Sequence, residues 1–286
     1  MRLAAAGLSA AAVVVGAVLY PLMQQRGADH GLTVRLNSIA PTPDLASPRT
    51  CQQPEAAAPI VLLILGQSNA GNHGAEDEPL GVGVAPQVTV FSGGLCLRSG
   101  DPLPGGTGRH KSVWSRLPAH LKLQGYTGEV VIVLLAVEAT TVNDWSRVSS
   151  PLHKRLQSLL LAMQTDHLRP SLVLWQQGEA DALRNTKVDD YVTDFESLLQ
   201  SIRAAGVTAP VLLARSTYCN GSDGRLVRQA VSRLLARLPD VQAGPDTDTL
   251  LGKNRTRGCH FSSAGVDAAA ALWAGVIAAA VTESRR

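Results

Sequence analysis

The sequence predicts an α/β fold, a largely parallel sheet covered by helices on both faces. Two observations predict it. Beyond residue 59, short β-type runs alternate with longer helical patterns, which is the signature of βαβ units. Each strand candidate also reads as a continuous apolar run rather than an alternating one, as expected where both sheet faces are buried. With 286 residues, 45% of them hydrophobic, the chain can bury one large α/β domain or two small ones. No internal repeat is visible.

The elements follow in order. Leu3–Met23 is uncharged and flanked by Arg2 and Arg26. That length suits one membrane-spanning helix, which needs roughly 20 apolar residues. A cleaved signal peptide is the rival reading; no small-residue cleavage site follows the run, so an uncleaved anchor over residues 1–26 is preferred. Either reading sends the rest of the chain out of the cytoplasm, as a membrane-anchored, secreted or periplasmic protein. Residues 27–58 lack periodicity, are rich in Pro, Ala and Ser, and read as an extended linker. The folded domain is expected over residues 59–286. Its strands are Ile60–Leu65, Val88–Phe91, Glu129–Val137, Ser171–Trp175 and Pro210–Ala214. Its helices are Leu152–Met163, Val188–Ala204, Arg225–Leu238 and Ala264–Val281.

Four cysteines, Cys51, Cys96, Cys219 and Cys259, fit an exported chain. Three pairings into two bridges are possible; Cys219 with Cys259, leaving Cys51 with Cys96, is the expectation. No pair has the CxxC spacing of a zinc or redox site. Asn220-Gly-Ser and Asn254-Arg-Thr match glycosylation sequons. The net charge of +3 is small and its basic residues are scattered. With no zinc-finger spacing and no Walker loop, nucleic acid is not an expected partner.

In parallel sheets ligands sit beyond the carboxyl ends of strands, near a topological switch point. Three segments stand at such places: "LGQSNAGNHG" (65–74), "WQQGEAD" (175–181) and "GCHFSSAG" (258–265). A serine becomes a nucleophile when an imidazole takes its proton, and Ser68 and His260 supply that pair. A tetrahedral oxyanion needs preorganised donors; Asn69, Gln176 and Gln177 are amides at suitable strand ends. His110, His120, His153 and His167 lack strand-end context and read as surface residues. Trp145 and Trp175 read as packing residues.

These blocks resemble the SGNH hydrolases, and within them the carbohydrate and sialic acid O-acetylesterase-like branch. "GQSN" is complete at Gly66–Asn69 and "WQQGE" at Trp175–Glu179, and "KSVWSRL" at Lys111–Leu117 is similar to a further segment of that branch. The resemblance implies a three-layer α/β/α sandwich with a flavodoxin-like parallel sheet. It implies Ser68 as nucleophile and oxyanion-hole donor, His260 as base, and Gln177 as an oxyanion-hole amide. No metal or organic cofactor is implied. The implied reaction is hydrolysis of short O-acyl esters, chiefly O-acetyl, on a carbohydrate. Two departures stand out. The branch's triad acid lies three residues before the histidine, where this chain has Arg257; Asp246 and Asp248 are the carboxylates that could fold back instead. The branch's oxyanion glycines are replaced by Glu138 and Ala139; the Ala139 N–H can serve if the backbone there tolerates a Cβ. These departures motivate an alternative, a catalytically weak glycan-binding protein on the same fold. A carbohydrate O-acyltransferase would use the same residues as the hydrolase.

Overall fold

The computed structural model of the chain describes residues 25–42, 51, 59–80 and 86–283. The expected anchor, apart from its last two residues, lies outside the described residues. A seven-stranded sheet forms the centre: β1 (Ile60–Gly66), β2 (Val88–Ser92), β3 (Leu95–Ser99), β4 (Val130–Ala136), β5 (Leu172–Gln176), β6 (Val211–Arg215) and β7 (Val241–Asp246), in the spatial order β3-β2-β4-β1-β5-β6-β7. All neighbours are parallel except β3, which returns antiparallel along β2. Without that edge hairpin the order β4-β1-β5-β6-β7 is the flavodoxin-like 2-1-3-4-5 arrangement, whose switch point falls between β1 and β5.

The alternation of strand side chains explains the three layers. In β1, Val61, Leu63 and Leu65 face one core with Leu152, Leu156, Tyr191, Phe195 and Val231. These come from α4 (Pro151–Thr165), α6 (Val188–Ala204) and α7 (Arg225–Arg237), with the short helices α3 (Val142–Ser146) and α5 (Glu179–Leu183) before α4 and α6. Ile60, Leu62 and Ile64 face the other core with Trp114, Leu117, Ala270 and Trp273. These come from α2 (Val113–Leu123) and α8 (Ser263–Glu283). Both faces are therefore apolar, and β1 is buried throughout. Helix α8 is apolar and long enough to cross a membrane, but Ala269, Ala270, Trp273, Ala274 and Ile277 are fully buried in this core. It is a core helix.

Among the sheet strands and the longer helices that cover them, β3, β7 and α2 lay beyond the sequence reading. The edge strand β3 alternates exposed and buried residues. Strand β7 carries Gly244 and Pro245, and α2 carries Pro118 in its interior, residues that weaken strand and helix patterns. The linker expectation is also corrected in part. Residues 25–37 form a helix, α1, with Leu32 fully buried in the first core and Leu36 and Ile39 packed against it. Asp29 of α1 pairs with Arg147, and the Ala40 N–H bonds Gly106 O at 2.9 Å. Docking supplies what a short apolar stripe cannot, since isolated helices of this length are marginal.

Candidate active site

The Ser68 turn is built by close contact between β1 and β5. Gly66 pairs with Gln176 across the switch point, and a Cβ on Gly66 would lie 2.1 Å from Gln176 O. Only glycine allows that approach. A 3-10 turn, Ser68–Ala70, follows and is buried. Asn69 Nδ2 donates to Glu179 Oε1 at 2.7 Å and to Cys259 O at 3.4 Å, tying the turn to the residue before His260. Gln176 Nε2 donates to Asn69 O at 3.2 Å. Trp114, of the "KSVWSRL" segment, donates its Nε1–H to Ala70 O at 2.7 Å. Glu179 also accepts from Ser216 Oγ at 2.9 Å, and burial pushes its carboxyl up to about 7.

His260 sits on a two-stranded hairpin, β8 (Arg255–Thr256) and β9 (His260–Phe261), that packs against the Ser68 turn. Several bonds hold it there. Cys219 and Cys259 form a disulfide, as do Cys51 and Cys96. The Arg255 guanidinium donates to Cys259 O at 2.8 Å, and Arg255 Nε donates to Leu250 O at 2.7 Å. The same guanidinium lies 4.3 Å over the Phe261 ring.

The partner of His260 is Glu76, a residue that sequence reasoning missed. His260 Nδ1 lies 2.7 Å from Glu76 Oε2, and His73 Nδ1 lies 2.8 Å from Glu76 Oε1. The two rings stand 4.9 Å apart. The Ala75 N–H donates to Phe261 O at 2.7 Å and seats the Glu76 turn beside β9. Hydrogen bonding from His73, then from His260, holds the Glu76 carboxyl down at about 2 despite burial. Burial lowers the His260 pKa below its ordinary 6.5, against the opposing pull of Glu76. Donor atoms of His73, Glu76 and His260 lie within 4.8 Å of one another, which makes them the set among the described residues able to hold a cation. The one local signal for Glu76 was His73-x-x-Glu76 just past the serine block.

Of the other expected site residues, Asp246, Asp248 and Gln177 have other partners. Asp246 and Asp248 do not orient His260. Arg228 reaches Asp246 at 2.6 Å and Asp248 at 2.7 Å, and Asp248 also accepts from the Thr217 N–H, the Thr217 hydroxyl and the Tyr218 N–H. Arg257 is exposed in the β8–β9 turn with φ +49°. Gln177 is fully buried and its amide is already spent. Its Nε2 donates to Thr140 O at 2.8 Å and Asp181 Oδ2 at 2.5 Å, while its Oε1 accepts from the Tyr191 hydroxyl at 3.2 Å. With two N–H bonds and two close internal acceptors, it has none left for an oxyanion. Ala139 holds φ +53°, the left-handed conformation that favours the glycine it replaces. The adjacent Glu138 N–H donates to Thr107 Oγ1 at 2.9 Å, and the Glu138 carboxylate lies 3.5 Å from His73 Nε2. His153 is buried, not at the surface, with its Nδ1 on Trp145 O at 2.8 Å. Trp145 and Trp175 are buried and pack edge to face at 5.4 Å.

A family model described as "Carbohydrate esterase, sialic acid-specific acetylesterase" matches residues 117–273. That span includes Trp175–Glu179 and His260 but begins after Ser68 and Glu76. Among solved structures, a protein from Arabidopsis thaliana superposes with a TM-score of 0.62 at 17% identity, over 76% of this chain and 97% of that one. A carbohydrate acetylesterase from Xanthomonas citri gives 0.54 at 19% identity, over 77% of this chain and 55% of that one. NanS gives 0.52 at 13% identity, over 79% of this chain and 97% of that one. At such identities these likenesses speak for the fold alone. No curated protein matches the sequence.

Proposed function

Since the chain belongs to the carbohydrate esterase family of sialic acid-specific acetylesterases, we propose that it removes O-acetyl groups from a carbohydrate through a Ser68 acyl-enzyme. Ser68 Oγ attacks the acyl carbonyl carbon while His260 Nε2 takes the hydroxyl proton. The tetrahedral oxyanion is held by the backbone N–H groups of Ser68 and Ala139. Collapse breaks the acyl–oxygen bond, and the sugar oxygen leaves with the proton from His260. Water, deprotonated by the same imidazole, then releases acetate and restores Ser68.

The observation that carries this reading is the 2.7 Å contact between His260 Nδ1 and Glu76 Oε2. A carboxylate there fixes the Nδ1–H tautomer and leaves Nε2 free as the base. It also stabilises the imidazolium formed during attack. Glu76 thus takes the role that Arg257 cannot fill, and it favours turnover over a binding-only protein. Two disulfides support an oxidising compartment outside the cytoplasm. There residues 1–26 would serve as the anchor and the region from residue 59 as the esterase domain.

The test uses the purified protein with a small aryl acetate and with acetylated sialic acid. We expect acetate release, labelling of Ser68 by a fluorophosphonate, and loss of both in Ser68→Ala. Turnover in Ser68→Ala equal to wild type would sink the mechanism. Transfer of the acetyl group to an added sugar would reassign the protein as an acyltransferase.

A further inference from the structure

We propose that His73 is a positioning residue of the esterase, one that holds Glu76 against His260 and links it through Thr107 to the loop carrying Glu138 and Ala139. The proposal rests on Ser68 and His260 being nucleophile and base.

The proton assignment carries the argument. An ionised carboxylate only accepts, so the Nδ1 atoms of both His73 and His260 must donate to Glu76. His73 Nε2 is then an acceptor in the neutral ring, 3.2 Å from Thr107 Oγ1. Thr107 Oγ1 already accepts the Glu138 N–H at 2.9 Å, so its own O–H is free to point at His73. With the neutral ring, the Glu138 N–H, the Thr107 O–H and the Nδ1–H groups of His73 and His260 each have an acceptor, and the Glu138 carboxylate, 3.5 Å from His73 Nε2, is the further charged group that faces it. Thr107 is fully buried and the His73 side chain is 7% exposed, so water offers little substitute. The same carboxylate therefore orients the base and is held by a ring anchored on the oxyanion-side loop. Glu76 sits in a turn after Ala75, whose φ is +58°. That strained backbone needs tertiary contacts to persist, and His73 supplies one.

A satisfied buried histidine would stabilise the fold without touching catalysis, so the experiment separates the two. The full chain is compared with His73→Leu, His73→Asn (which keeps an N–H donor toward Glu76 but loses the Nε2 acceptor) and Thr107→Val. For each, kcat, KM, the acid limb of kcat/KM and the downfield proton resonance of His260 Nδ1–H are measured. In His73→Leu we expect kcat to fall about 10²-fold, the scale of a displaced catalytic group, with KM within about threefold. The acid limb should move to lower pH, because a Glu76 no longer held against His260 raises the His260 pKa less. The His260 resonance should shift or broaden. In Thr107→Val and His73→Asn we expect smaller losses, about 3- to 10-fold. Folded variants with wild-type kcat, acid limb and resonance would overturn the proposal. If His73→Leu does not fold, the milder pair decides on the same criteria. Wild-type protein with no turnover and no Ser68 labelling would instead refute the esterase reading, while the resonance would still report whether His73 positions Glu76.

Discussion

Replacing Glu76 by glutamine tests the site at its most informative point. The carboxylate receives two imidazole N–H groups, at 2.7 and 2.8 Å, on separate oxygens. Glutamine has nearly the same shape but one oxygen and one NH2, so one imidazole must face a donor. If that is His260, its Nδ1 must carry the lone pair and its Nε2 the proton, and it can no longer deprotonate Ser68. Such a tautomer error lowers kcat by about 10⁴ in a serine protease, or roughly 5.5 kcal/mol at 1.36 kcal/mol per tenfold. If the NH2 faces His73 instead, His260 keeps its tautomer but loses a charge-assisted bond worth about 1.5–3 kcal/mol, a 10- to 10²-fold loss. With both orientations accessible, kcat for Glu76→Gln should fall between about 10-fold and 10⁴-fold below wild type. The assay is steady-state hydrolysis of an aryl acetate between pH 4 and 9. Wild type should show its acid limb below 6.5, because the His260 pKa is lowered. The variant's limb should lie lower still, since the raising effect of Glu76 is gone. The wild-type protein should also lose stability as pH falls from 4.5 toward 2. The Glu76 carboxyl is depressed from 4.5 to about 2 in the fold, so its contribution is complete above the first value and fades toward the second. A folded Glu76→Gln enzyme within about threefold of wild-type kcat, with an unchanged acid limb, would refute this assignment of the acid.

Two further outcomes bear on the departures in the sequence. Ala139→Gly should raise stability by about 0.5–1 kcal/mol, read as a higher urea midpoint. Relief of a left-handed alanine, worth about 1–2 kcal/mol, is partly offset by the greater freedom of glycine in the unfolded chain; a lower midpoint would contradict the strain at φ +53°. Asp248→Asn should destabilise by about 1–3 kcal/mol, because Thr217, Tyr218 and Arg228 lose a charged acceptor, while kcat stays within about threefold of wild type. A thousandfold loss of kcat in a folded variant would restore Asp248 as the orienting acid.

Much of the scaffold was legible because its causes are local. Continuous apolar runs announced β1, β4, β5 and β6, and a 3.6-residue apolar period announced α4, α6, α7 and α8. Strand ends then placed Ser68, Gln177 and His260 in candidate loops. Adjacency in sequence misled wherever side-chain direction decided the outcome. Gln177 follows Gln176 directly, yet its amide turns inward to Thr140, Asp181 and Tyr191. Asp246 and Asp248 lie near His260 in sequence, but Arg228 of α7 claims both.

By itself, then, the sequence determined a parallel α/β sheet, a serine presented at its carboxyl edge and a histidine late in the chain. These depend on periodicity and on residues within one turn of each other. Only the tertiary structure decided which carboxylate serves that histidine. Glu76 and His260 are 184 residues apart. They meet because β1 delivers the turn that follows it to the same sheet edge where the disulfide-held hairpin arrives. No local pattern encodes that meeting, since it results from strand order and the close approach of β1 to β5 at Gly66.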